Sequence, residues 1–152
     1  MPRVAINPME PRAALGAYDP HEERYTLYSG NQFPHDMRGW LSEAVLGVAE
    51  SRLRIVSPDM GGSFGLRANI FPELPLVLWA AKTIGRPIKW TNERGDGILD
   101  EQARDMIMAV ELALDRNGRF LALRVRCRAN MRAYLSNFGP LPARPLSHIS
   151  RC

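Results

Sequence analysis

Cysteine is nearly absent from this chain: Cys127 and Cys152 are the only two in 152 residues. They do not have metal-finger spacing, which excludes a zinc or iron–sulfur site built from this chain alone. With Cys152 at the last position, a structural disulfide is not expected, and a reduced cytoplasmic protein is. Lysine is equally scarce. Lys82 and Lys89 are the only two, so the net charge of +4 is carried by arginine. Such mild basicity fits an anionic ligand or nucleic acid, but it fits neither as well. Long apolar runs are missing, and none reaches membrane-spanning length. Met1 to Met9 holds two prolines and no apolar core of a signal peptide. Nucleophile signatures are missing as well. There is no Gly-x-Ser-x-Gly elbow, Ser63 has no evident base, and His21, His35 and His148 stand apart in the sequence.

What is present suits a folded domain. Apolar residues make up 45% and charged ones 24%, enough for a real core in a chain of this length. Short strands are expected at Ala13 to Tyr18 and Arg24 to Ser29, joined by the turn residues Asp19-Pro20-His21-Glu22-Glu23. Met37, Trp40, Leu41, Ala44, Val45 and Val48 recur at helical spacing behind Pro34, with Gly47 as terminator. Leu53 to Ser57 reads as a strand. A second helix is expected from Pro72 to Ile84, ended by Gly85 and Pro87, and Ile88 to Thr91 reads as another strand. Met106 to Leu114 and Leu121 to Ala129 both alternate, and Asn117-Gly118 lies between them, so they predict a β-hairpin. The expected fold class is α+β, with antiparallel hairpins and two helices. After Ser136 the pattern stops, and residues 137–152 are expected to form an irregular tail.

One stretch stands out. Asp59-Met60-Gly61-Gly62-Ser63-Phe64-Gly65 packs three glycines around an aromatic, after a strand and ahead of a helix. Glycine permits positive φ and close approach to the backbone. Amides ahead of a helix can also hold phosphate. The spacing is neither that of a P-loop nor GxGxxG, so a ligand loop and an ordinary turn both stay open. Phe64 favours the ligand loop, because an idle turn exposes polar residues. Arg124, Arg126 and Arg128 share one strand face and read as a solvated face. No aromatics interleave with them as nucleic-acid binding would require. Glu10, Glu43, Asp59, Glu73, Glu93 and Asp100 show no catalytic spacing, and surface roles are expected for them.

The segments "INPMEPRAAL", "SGNQFPHDMR", "RIVSPDMGGSFGLR", "GRPIKWTNER" and "ARDMIMAVELALDRNGRFLALRVRCRANMRAYLS" follow one another in the order and spacing of one family. Over Ile6 to Ser136 the chain resembles the molybdopterin-binding large subunit of the molybdenum hydroxylases, the family of xanthine dehydrogenase, aldehyde oxidase and aerobic carbon monoxide dehydrogenase. The resemblance implies that residues 1–136 are part of a larger molybdenum-cofactor-binding domain. It implies a complete enzyme that hydroxylates an aldehyde or heterocycle, or oxidises carbon monoxide. Electrons would leave through iron–sulfur clusters and FAD on other domains or subunits. It implies a cofactor-binding set of Gln32, Gly61, Gly62, Phe64 and Gly65, with Phe64 facing the metal and substrate. Gln32 would offer an uncharged hydrogen bond to the apical oxygen on molybdenum. Leu66, Arg67 and Ala68 stand where xanthine dehydrogenases continue with Gly, Lys and Glu, so xanthine is not the expected substrate. No residue matches the family's catalytic glutamate and most cofactor ligands are missing. The chain therefore reads as a fragment that is inactive alone and partnered by the rest of its subunit and by iron–sulfur and flavin subunits. No catalytic residue, metal ligand, nucleic-acid partner or membrane partner is expected. A phosphate-binding module and a decayed structural fragment are the alternatives.

Overall fold

The computed structural model describes residues 6–99 and 106–129. The chain divides into two compact units, one formed by Ala5–Glu101 and one that contains the later hairpin.

In the first unit, strand β1 (Ala13–Asp19) pairs antiparallel with β2 (Arg24–Ser29). The Asp19 carboxylate accepts the amide of His21 at 2.8 Å and so closes the turn between them. A helical run follows. It opens as α1 (Pro34–Gly39) and continues as a π-helical segment (Trp40–Leu46). Gly47 ends it in the left-handed region (φ 63°), with its amide bonded to the Ser42 carbonyl, one residue short of the periodic pattern. Strand β3 (Leu53–Val56) comes next. Helix α2 (Glu73–Ile84), strand β4 (Ile88–Thr91) and the short helix α3 (Arg94–Leu99) complete the unit.

The sheet order is β3-β2-β1-β4. Its central pairings are antiparallel, but β3 lies parallel to β2. The helical run α1 and the π segment supply the crossover that a parallel pair needs. Sequence periodicity shows neither this pairing nor α3. Parallel partners are chosen by packing, and α3 is too short to carry a periodic signal.

Helix α2 lies on the sheet. Leu74, Val77, Leu78 and Ala81, at positions i, i+3, i+4 and i+7, are buried, which is the spacing of one helical face. Leu74, Val77 and Leu78 meet Ala14, Tyr25, Leu27, Met37, Leu41 and Leu53 in a single core. Pro72 and Pro75 cause no break because the first turn has no internal partner for their missing amides. At the C-terminal end of α2, the Lys82 ammonium sits over the rings of Tyr18 and Tyr25. The hydrogen bond to Tyr25 is the main cause that raises its pKa.

In the second unit, β5 (Met106–Leu114) and β6 (Phe120–Ala129) form the antiparallel hairpin. Met108 faces Cys127, Val110 faces Val125 and Leu112 faces Leu123 on one side. On the other side Ile107 faces Arg128, Ala109 faces Arg126 and Glu111 faces Arg124. The Arg124–Glu111 pair closes to 3.1 Å. That matches a solvated charged face. The connection runs from Asp115 to Arg119. The Asp115 carboxylate accepts the amides of Asn117 and Arg119, both at 2.8 Å, and Gly118 takes φ 82°. The expected tail at 137–152 lies outside the described residues.

Candidate functional site

Strand β3 delivers the chain to the glycine loop, and the loop uses the freedom the sequence announces. Gly62 has φ 105° and Gly65 φ 90°. Phe64, which lacks glycine's freedom, is also held at φ 53°. Such a dihedral in an aromatic residue is a strained position, maintained only when the surroundings impose it. The imposed result is a large ring facing outward: Phe64 is 76% exposed. A methyl on Gly65 would meet nothing within 4 Å, so the backbone there stays open to an approaching group.

Gly61 has a different reason to be glycine. A methyl there would lie 2.5 Å from Cβ of Glu10. The N-terminal segment runs alongside the loop at this point. The Gly61 amide donates to Glu10 Oε2 at 2.6 Å, and the Glu10 amide donates to the Gly61 carbonyl at 3.2 Å. The close approach at Gly61 is therefore made by the chain itself.

The loop does not lead straight into a helix. Leu66–Ala68 forms a 3-10 turn, and α2 starts only at Glu73. The Glu73 carboxylate receives Arg12 Nε at 2.8 Å. The first turn of α2 thus carries its own anion, and the glycine loop is not the amide nest ahead of a helix that a phosphate module would use.

Arg67 organises the region from within. It is one of the few buried charged residues, with a side chain only 2% exposed. Its Nη2 donates to the carbonyls of Glu10 (2.7 Å) and Pro11 (3.3 Å) and lies 3.2 Å from Glu10 Oε2. A methyl on Gly30 would lie 2.5 Å from Arg67 Nη1, so the glycine of "SGNQ" makes room for the guanidinium. Earlier in the N-terminal segment, Arg94 donates to Asn7 Oδ1 (2.8 Å) and to the carbonyls of Pro8 (3.0 Å) and Met9 (2.8 Å). Two arginines from distant positions therefore clamp "NPMEP" beside the loop.

Gln32 reaches the same place from the end of β2. Its backbone amide donates to the Arg67 carbonyl at 3.2 Å. Its side-chain oxygen accepts from Ser63 Oγ at 2.6 Å. The neighbouring backbone is fixed by Asn31, whose amide donates to Ser57 Oγ (2.9 Å) and whose Oδ1 accepts the Phe33 amide (2.7 Å). The structure thus brings Gln32 to the loop of Gly61, Gly62, Phe64 and Gly65, from which it is distant in sequence.

Glu10, Arg67, Arg94, Ser63 and Gly30 are the participants that sequence reasoning missed. Glu10 and Glu73 were expected at the surface. Glu73 is instead largely buried, Glu10 stays half-exposed, and both hold arginines, because each faces a guanidinium brought in from elsewhere in the chain. The usable signal was that Glu10 and Arg12 sit in the stretch Ile6 to Arg12, interrupted by Pro8 and Pro11, that no helix or strand pattern explains. Among the described residues, no group of three His, Cys, Asp or Glu side chains converges to hold a metal, and no helix is long and apolar enough to cross a membrane.

Replacing Gly62 tests the loop. Its φ is one that L residues rarely adopt, and a methyl would meet the Phe64 ring at 3.2 Å and Pro8 Cβ at 3.4 Å. Gly62→Ala is expected to lower stability by about 1–2 kcal/mol. The measurement is the urea midpoint, and a variant as stable as the parent would show that the loop is not held in this conformation.

The site therefore sets an exposed carboxamide, that of Gln32, beside a left-handed glycine loop with an aromatic facing outward. The chain belongs to the molybdopterin cofactor-binding domain family, whose sequence model matches residues 1–152. It is 37% identical over 135 residues to the 6-hydroxypseudooxynicotine dehydrogenase complex subunit gamma of Paenarthrobacter nicotinovorans, covering 88% of this chain and 17% of that one. It is 38% identical over 134 residues to the carbon monoxide dehydrogenase large chain of Hydrogenophaga pseudoflava, again covering 88% and 17%. Among solved structures, quinoline 2-oxidoreductase from Pseudomonas putida 86 superposes with a TM-score of 0.68 at 31% identity, covering 82% of this chain and 16% of that one. The chain therefore spans about one sixth of the length of these relatives.

Proposed function

We propose that this chain forms one wall of a molybdopterin site, in an oxidoreductase whose remaining walls come from the rest of the subunit. The observation that carries the reading is the meeting of Gln32 with the Ser63–Phe64 corner of the glycine loop. Gln32, Gly61, Gly62, Phe64 and Gly65 are the proposed cofactor-facing set.

These residues fit one side of such a group. Gly65 leaves the backbone open, Phe64 offers an apolar ring, and Gln32 supplies amide donors without adding charge. The nearby cation, Arg67, is buried and engaged with Glu10, so it adds no exposed charge to that face. When bound, the cofactor supplies redox chemistry at molybdenum. This chain's residues orient the group and exclude water from one side. None of the five is placed as a proton carrier. A general base must lie within hydrogen-bond reach of the reacting atoms, and the set contains no carboxylate or imidazole.

In the complete enzyme the reaction is hydroxylation of an aldehyde or heterocycle, or oxidation of carbon monoxide. Iron–sulfur and flavin subunits carry the electrons away, and the location is the cytoplasm. Alone, one wall leaves the group open to solvent.

The test is to incubate the purified chain anaerobically with molybdopterin and measure pterin fluorescence and molybdenum content after gel filtration. Weak retention that Gln32→Ala abolishes is the expected result, with no turnover of aldehydes, purines or carbon monoxide. Retention unchanged in Gln32→Ala would remove Gln32 from the wall. Turnover by the chain alone would overturn the one-wall reading.

A further inference from the structure

The hydrogen bonds around Ser63 have a direction. The Arg67 amide donates to Ser63 Oγ at 3.2 Å. A backbone N–H can only donate, so the hydroxyl accepts there. A serine hydroxyl carries a single proton, and that proton goes to Gln32 Oε1 at 2.6 Å. The acceptor end of the Gln32 carboxamide is therefore turned toward the loop. Its NH2 end is turned away from Ser63 and has no partner among the described residues. Meanwhile the Gln32 backbone amide is tied to the Arg67 carbonyl at 3.2 Å. Gln32 is thus pinned at backbone and side chain to the same short segment, Ser63 to Arg67.

We propose that Ser63 is a positioning residue that fixes which end of the Gln32 carboxamide faces the ligand, making this corner of the site a hydrogen-bond donor only. The chemistry it recognises is an oxygen acceptor, such as an oxo or carbonyl oxygen, and a donor at that point is rejected. Without Ser63 the carboxamide is free to rotate and offer either end. The orientation stands on the geometry alone, and only the identity of the ligand rests on the molybdopterin reading.

The experiment is nitrogen-15 relaxation on the full chain. In the parent, the heteronuclear NOE of the Gln32 side-chain amide approaches that of the Gln32 backbone amide. In Ser63→Ala it falls to the value of a freely rotating surface glutamine, while the backbone amides of Gln32 and Arg67 keep theirs. Ser63→Thr, which retains the hydroxyl, restores the side-chain value. An unchanged side-chain NOE in Ser63→Ala overturns the proposal. So does a collapse of the backbone amides along with it, since Ser63 would then brace the loop rather than orient the glutamine.

A second arm uses molybdopterin as the probe. Ser63→Ala is expected to weaken its retention about five-fold, the cost of ordering one long side chain on binding. Gln32→Glu, which presents acceptors only, abolishes it. If the parent retains no molybdopterin, the cofactor reading fails while the relaxation arm still decides the orientation. If Gln32→Glu binds as well as the parent, the donor-only corner is wrong.

Discussion

Glu10→Ala is expected to destabilise the sheet unit by roughly 3 kcal/mol, far more than the loss of a half-exposed acid normally costs. The asymmetry comes from its partner. The Glu10 side chain is 42% exposed, but that of Arg67 is 2% exposed. Removing an acid at the surface normally costs about 1 kcal/mol or less, because the cation it leaves behind returns to water. Here the guanidinium cannot return to water and is left buried without its counter-ion. The Gly61 amide loses its 2.6 Å acceptor in the same substitution. Arg67→Met is milder, at about 2 kcal/mol. Glu10 regains hydration, and the cost falls on the Glu10 and Pro11 carbonyls that lose their donor. The double variant should be more stable than the sum of the singles predicts by about 1 kcal/mol or more, the sign of direct coupling. Urea unfolding of the four proteins, compared at equal m-value, makes the measurement. A cost below about 1 kcal/mol for Glu10→Ala would mean an ordinary surface ion pair and no clamp.

Gly16→Ala has an effect of similar size for a wholly steric reason. Gly16 is a buried position on β1, and a methyl there would lie 2.5 Å from the Val77 carbonyl oxygen and 2.9 Å from the Leu78 amide nitrogen. Those are backbone atoms of α2. No rotamer change relieves such a clash, so the helix must lift from the sheet and the core face of α2 loosens with it. Overpacking of this kind costs about 3 kcal/mol. Gly85→Ala is the control. It has a positive φ of 71° but open space around it, so only the left-handed conformation counts against it, about 1 kcal/mol. Thermal unfolding should separate the two clearly. Equal losses would mean that α2 does not rest on Gly16.

Much of this protein is written locally. The β1–β2 and β5–β6 hairpins follow from alternation and turn residues, and α2 follows from its i, i+3, i+4, i+7 stripe between prolines and Gly85. Those signals need only nearest neighbours, so the amino-acid order alone made the α+β class legible. The loop's backbone freedom was legible too, because three glycines crowd around Phe64, although an ordinary turn stayed open, and the family motifs singled out Gln32, which meets the loop at Ser63.

The rest belongs to the tertiary structure, since each case depends on residues that meet from distant parts of the chain. Gly61 and Gly30 look like generic loop glycines. Packing makes them necessary, one for Glu10 and one for the Arg67 guanidinium. Glu10 and Glu73 look like surface acids until Arg67 and Arg12 arrive beside them. The parallel placing of β3 beside β2 has no local signature, because either strand direction satisfies the same short apolar run. Ser63 reads as one more polar residue in a turn. Its meaning lies in a direction of hydrogen bonding, fixed only when the Arg67 amide and the Gln32 carboxamide converge on one oxygen.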